Sequence, residues 1–247
     1  MLINTSEFKN VLKKSTLDYC INSVQLNFTK EKLTSSMISS SSDAIAILNL
    51  PNLVLPEMKK TDTLVMNFSE PNANILPYLN LIDDNEETKI NIKDEKITLV
   101  QGKQKSNMFF CSELVVGVYE GEGPKSDIEY FNIMDIDDDF MNSFSKIKKI
   151  GAKFNKIYFG VSNNVLYIET SDKQNRFSNG LRIDLCDVEY DDMSMCFNFK
   201  NVVNVMSILE NEFKCHFTYV PSQELGMVYI GNEDESEKYY LMSKIDN

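Results

Sequence analysis

Short runs of alternating apolar and polar residues recur along most of the chain, and a period of two marks half-buried β-strands. Ser23-Val24-Gln25-Leu26-Asn27-Phe28, Lys89-Ile90-Asn91-Ile92, Lys156-Ile157-Tyr158-Phe159-Gly160-Val161 and Met227-Val228-Tyr229-Ile230 are examples. Four segments break that rhythm with apolar residues three and four apart, the spacing of an amphipathic helix. The first begins at a cap, Thr5 or Ser6, and aligns Phe8, Val11 and Leu12. The second follows Ser69-Glu70-Pro71 and carries Ile75, Leu76 and Leu79; Pro77 inside it predicts a short or delayed helix. In the third, Asp137, Asp138 and Asp139 suit a helix N-terminus, and Phe140, Phe144 and Ile147 follow on one face. The fourth follows Asn198 and carries Val202, Val203, Met206 and Leu209.

These helices divide the chain into four similar quarters, each a helix followed by several strands, which predicts an α+β fold of two similar domains. Between the second and third quarters, Val115 to Ile128 contains Gly117, Gly121, Gly123 and Pro124, the chemistry of a connector. The expected organisation is a domain over 1–114, a connector over 115–128 and a second domain over 129–247.

The chain has 247 residues, 43% hydrophobic and 25% charged, which is the make-up of a globular protein. Its formal charge of -12 argues against a surface that coats nucleic acid all over, since phosphate contacts need cations. The cations are segregated, however. The first helix has Lys9, Lys13 and Lys14 against Glu7, and the third helix and its exit carry Lys146, Lys148, Lys149 and Lys153 with no acid from Phe140 onward. The fourth adds Lys200. Amphipathic helices routinely have charged outer faces, but lysine-rich helices at equivalent places in an acidic chain point to one shared cationic surface. The absence of arginine and of interleaved aromatics fits loose attraction to a duplex backbone rather than base reading or single-strand stacking.

Other chemistries are excluded. A calcium loop starting at Asp135 would need Gly and Glu where Phe140 and Lys146 stand. Gly121-Glu122-Gly123 lacks a phosphate-binding continuation, and the lone His216 lies in a strand-like run. Cys20, Cys111, Cys186, Cys196 and Cys215 are scattered and odd in number, as expected of reduced thiols in an intracellular protein. Neither a secretory signal nor a membrane span is expected. No cofactor, metal site or active site is expected, so the chain reads as a non-enzyme.

The opening Phe8-Lys9-Asn10-Val11-Leu12-Lys13-Lys14, with Ser23 to Phe28, Lys32-Leu33 and Ser42-Asp43-Ala44-Ile45, resembles the first helix and strands of the DNA sliding clamps. That family includes proliferating cell nuclear antigen and the trimeric clamps of tailed phages. Phe140 through Ile150-Gly151 to Tyr158 and Leu166-Tyr167-Ile168 resembles the start of its second domain. Lys238-Tyr239-Tyr240-Leu241-Met242-Ser243-Lys244-Ile245-Asp246 resembles its final strand and tail.

The resemblance implies clamp-type domains, each with two helices packed on antiparallel sheets, closing as a homotrimer into a ring around duplex DNA. Such a ring tethers a DNA polymerase as a processivity factor in DNA replication and is opened by an ATP-dependent clamp loader. Lys9, Lys13, Lys14, Lys146, Lys148, Lys149, Lys153 and Lys200 would line the pore. Subunits would join edge strand to edge strand, through Asn107 to Ser112 with Phe109 and Phe110, and Phe177 to Leu185 with Leu181 and Ile183. A partner-peptide pocket would use Val116, Val118 and Tyr119 of the connector together with Pro221, Tyr240, Leu241 and Met242.

Two departures stand out. The second helix carries no lysine, only Asn72, Asn74 and Asn80 around Pro77, and the tail has Met242-Ser243 where cellular members have a small residue and proline. The Asn- and Lys-rich composition fits a viral or phage member, acting in the host cytoplasm, or in the nucleus if eukaryotic. The competing readings are a processivity factor that holds DNA without a ring, and a viral structural or adaptor protein with no DNA role.

Overall fold

The computed structural model describes residues 5–51, 53, 62–82, 88–93, 95–121, 129–173, 179–210, 212–223 and 225–244. The chain divides into two units, unit 1 with residues 1–41 and 45–121 and unit 2 with 42–44 and 122–247.

Unit 1 begins with α1 (Thr5–Thr16), followed by β1 (Ser23–Phe28), β2 (Leu33–Ile38) and β3 (Ala44–Leu50). Then come β4 (Leu64–Ser69), α2 (Pro71–Asn74), α3 (Leu76–Leu79), β5 (Lys89–Lys93), β6 (Lys96–Gln101) and β7 (Gln104–Phe109). Unit 2 has β8 (Asn132–Asp135), α4 (Asp138–Gly151), β9 (Lys156–Ser162), β10 (Val165–Thr170) and β11 (Leu181–Asp187). It closes with β12 (Met193–Asn198), α5 (Phe199–Ile208), β13 (Phe213–Val220), β14 (Leu225–Asn232) and β15 (Glu237–Met242).

Among the described residues three of the four quarters, those that open on β4, β8 and β12, thus run strand, helix, three-strand meander, one strand more than helical periodicity reveals. The extra strand is exchanged. In unit 2, β8 of the third quarter pairs with β13 of the fourth, and β12 of the fourth pairs with β9 of the third. The resulting antiparallel sheets run β11-β10-β9-β12 and β15-β14-β13-β8. In unit 1 the described residues show one half of this exchange, β4 joining β1-β2-β3 through β1, and β5-β6-β7 form a second sheet. In unit 2 the exchange ties the two quarters into one fold, because neither quarter completes its sheet alone.

Alternation in sequence becomes burial in the structure. In β1, Val24, Leu26 and Phe28 face the core, and β2 buries Leu33, Ser35 and Met37. β9 is buried continuously from Ile157 to Val161, since helices pack on its sheet: α4 against β10 and β11, α5 against β9 and β12. Phe159 centres this core, edge-to-face with Phe197 at 5.8 Å and tilted against Phe217 at 5.5 Å. Asn163 and Asn164, with φ of 53° and 61°, make the two-residue turn between β9 and β10.

The second helix differs from a regular one, as Pro77 requires. It is split into α2 and α3 at Ile75 (φ -125°, ψ -55°). Pro77 has no N–H to donate and its ring would crowd the Ala73 carbonyl four residues back, so the ladder restarts at Tyr78 and Leu79, both donating to Ile75 O.

Candidate nucleic-acid interface and docking surfaces

α4 is the best-defined cationic element. The Asp137 carboxylate accepts the Phe140 N–H at 2.8 Å, and Asp138 and Asp139 sit in the first turn, where the helix dipole favours anions. The acidic run is therefore a helix start. Phe140, Phe144, Ile147 and Gly151 are buried on one side, and a Cβ at Gly151 would collide with the ring of Phe199, so glycine lets α5 approach closely. The outer side presents Asn142, Ser145, Lys146 and Lys149, with Lys148 on the flank, all exposed. A shallow groove of about 510 Å³ runs along it. Lys153 is exposed beyond the helix, its amine 5.0 Å from the Phe154 ring centroid. Lys148 and Lys149 also complement the negative end of the helix.

The other helices contribute less. α5 is capped by Asn198, whose side chain accepts the N–H groups of Lys200 (3.0 Å) and Asn201 (3.4 Å). It exposes Lys200 and Ser207, with Asn201, Val203 and Asn204 half-buried. In α1, Lys13 is exposed and Lys9 half-buried, but Lys14 is only 6% exposed. Lys14 flanks the apolar stripe and is nonetheless buried, which single-helix periodicity does not predict. Asn72 also turns inward, its amide 3.4 Å from the Thr16 hydroxyl, while Asn74 and Asn80 are exposed beside Tyr78 and Leu81. The outer side of α2 and α3 is thus neutral.

Among the described residues the sheet-edge strands include β7, beside β4 and β5, in unit 1, and β11, beside β8 and β12, in unit 2. At the end of β7, Phe109 is 70% exposed, and Phe110 packs edge-to-face on Phe68 at 5.5 Å. Along β11, Leu181 and Ile183 are half-buried; Phe177 lies outside the described residues.

The connector residues in unit 1 are strapped to β2. Tyr119 N donates to Ser36 O (2.9 Å), the Ser36 hydroxyl donates to Tyr119 O (2.8 Å), and Val118 bridges Met37. Val118 is exposed, and Val116 and Tyr119 are half-buried. In unit 2, Pro221 is exposed and Met242 half-buried, whereas Tyr240 and Leu241 are 5% and 1% exposed. Leu241 is core, and Tyr240 stacks on Tyr229 at 4.9 Å. Beyond β15 the Ser243 hydroxyl accepts the Gly226 N–H at 2.6 Å, so Ser243 anchors the tail where proline has no side-chain oxygen to offer.

His216 lies between Tyr130 and Tyr229, at 5.1 and 4.8 Å. Burial and Lys214 push its pKa below the ordinary value, against the opposing pull of Glu235. Complete burial pushes the Cys215 thiol far above the usual range, and burial also raises Cys111 and Cys186. None of the five cysteines is in a disulfide. Among the described residues no cluster of His, Cys, Asp and Glu has a metal-binding arrangement, and no helix is long and apolar enough to cross a membrane.

No protein-family model and no curated protein matches the chain. Solved structures do. Proliferating cell nuclear antigen from Entamoeba histolytica superposes with a TM-score of 0.69 at 14% identity, over 99% of this chain and 97% of that one. A. fulgidus PCNA, solved with the C-terminal region of FEN-1 bound, gives 0.66 at 12% identity over 100% and 98%. The DNA polymerase sliding clamp of Bacillus subtilis gives 0.68 at 12% identity, covering 100% of this chain and 64% of the longer bacterial protein. The exchanged strands, paired helices and two-unit organisation of this chain are, together, the fold of the DNA sliding clamps.

Proposed function

We propose that the chain is a DNA sliding clamp: a homotrimeric ring that encircles duplex DNA without sequence preference and tethers a DNA polymerase. Two units per chain make three chains the natural count for a six-unit ring, opened by an ATP-dependent loader. The observation that carries this reading is the outer side of α4, four lysines in and just beyond a helix of a chain with net charge -12. Lys13, Lys9 and Lys200 would add to the pore, and the acidic remainder would keep DNA off the outside. We read β7 and β11 as the edges that join subunits, and residues 115–128 as the connector between domains 1–114 and 129–247. The residues we assign to partner-peptide docking are Val116, Val118, Tyr119, Pro221, Tyr240, Leu241 and Met242. A neighbour in fold solved with the C-terminal region of FEN-1 bound supports such docking. The role is that of a scaffold rather than an enzyme. Primer extension on circular templates tests it: with polymerase and loader supplied, the chain lengthens the products of single binding events, and unchanged lengths would refute the proposal.

A further inference from the structure

Lysine is concentrated in one other place, the sheet β5-β6-β7 of unit 1. From Lys89 to Lys105 five lysines (89, 93, 96, 103 and 105) stand against Asp94 and Glu95, a net of +3 in a chain of net -12. The register gathers four of them on one side of the sheet: Lys89 opposite Val100 opposite Lys105, and Lys93 opposite Lys96 opposite Phe109. The other side carries Ile97, Leu99 and Met108 into the core. Lys89, Lys93 and Lys105 are exposed, and Lys96 is half-buried.

Among the described residues none of these lysines is held in an ion pair, whereas Lys214, Lys238 and Lys244 each meet a carboxylate. Asn91, Thr98 and Asn107 lie between the lysines. The Thr98 hydroxyl donates to the Asn107 side chain at 2.8 Å, so positive charge is what the face offers. With about 3.3 Å per residue and about 4.8 Å between strands, Lys89 stands about 13 Å from Lys93 and about 10 Å from Lys105.

We infer that this face docks an extended acidic segment of a partner protein. Charge complementarity selects an anion, and the size of the patch selects its kind. An extended segment of about four residues spans the roughly 13 Å between Lys89 and Lys93 and sets carboxylates beside lysines of neighbouring strands. A duplex carries a charge about every 1.7 Å of its axis. It would run on past the last lysine, over a remainder of the chain that is more acidic than the whole. A single strand needs rings to stack on, and none stands between the lysines, since Phe109 lies on the edge strand. Lysine, a hydrated point charge, suits carboxylates held loosely rather than in bidentate pairs.

The inference goes beyond the clamp reading and is independent of encirclement. The test is fluorescence anisotropy of a labelled peptide of about eight glutamates against the full chain, at about 0.1 M and about 1 M salt, where screening cuts the reach of charge from about 10 Å to about 3 Å. Labelled single-stranded and duplex oligonucleotides are titrated beside it. The wild type holds the peptide at the lower salt and releases it at the higher. Lys89→Glu with Lys93→Glu, both exposed, weakens the peptide about tenfold or more at low salt. The neutral pair Lys89→Gln with Lys93→Gln weakens it less, and Lys146→Ala with Lys149→Ala leaves it unchanged. A wild type that does not hold the peptide, binding that survives both β5 pairs, or binding lost with the α4 pair instead overturns the inference. Loss of an oligonucleotide rather than the peptide from Lys89→Glu with Lys93→Glu also overturns it, by making the face a nucleic-acid surface. A change in the chain's own sedimentation with those two substitutions overturns it too, by making the face a contact between copies.

Discussion

Removing Lys146 and Lys149 from α4 isolates the electrostatic part of the account. Both are exposed and three residues apart on the side opposite Phe140, Phe144 and Ile147, so truncation to alanine leaves the core seam and the Asp137 cap intact. An exposed substitution of this kind shifts stability by no more than about 0.5 kcal/mol, and a thermal melt of the double variant should overlay the wild type. DNA binding should change far more. Each phosphate contact contributes about 0.9 to the slope of log affinity against log salt, so losing two lowers the slope by about 1.8. Between 1 M and 0.1 M salt one contact is worth about eightfold, and two together about 60-fold, or roughly 2.4 kcal/mol. Anisotropy of a labelled duplex, titrated at several salt concentrations, reads both quantities. An unchanged slope in a folded double variant would refute the placement of DNA on α4, wherever else it bound.

Other substitutions test the packing. An added Cβ at Gly160 would stand 2.5 Å from the Tyr167 hydroxyl and 2.6 Å from the Met193 carbonyl oxygen. Gly160→Ala should therefore cost about 1–3 kcal/mol in urea titration, and a smaller loss would mean that β9 and β12 yield more easily than their register implies. Asp137→Ala removes the α4 cap and should cost about 1 kcal/mol, read from the same titration. His216 sets a pH dependence. Its folded pKa lies below its unfolded value, so the unfolded chain takes up the proton first as pH falls. The contribution is fully present above the ordinary histidine value of about 6.5 and is lost as pH drops through the lowered folded value. Melting temperature should fall over that window in the wild type and fall less in His216→Gln; identical slopes would contradict the assignment.

Helix positions, the four-fold repetition and the cationic side of α4 were legible in the sequence because each depends on local spacing. The strands that open three of the quarters, β4, β8 and β12, were not. Asn132-Ile133-Met134-Asp135 is short, and its partner is β13, some eighty residues on, so nothing local marks it as a strand. Lys14 is buried beside the apolar stripe of α1, where helical spacing alone places an exposed cation. The lysine side of β5-β6-β7 was visible in the alternation Lys89-Ile90-Asn91-Ile92-Lys93, but only the register with β6 and β7 gathers the remaining lysines beside it. Charge summed along the chain hides such faces, while charge mapped onto paired strands reveals them.

The central claim is encirclement, and topology tests it directly. The chain is loaded onto nicked circular duplex by a clamp loader and passed through a sizing column in salt high enough to screen the α4 lysines. The account predicts that it stays with the circle and is released once a single cut makes the DNA linear. Loss from the circle at high salt, or retention after the cut, would contradict it.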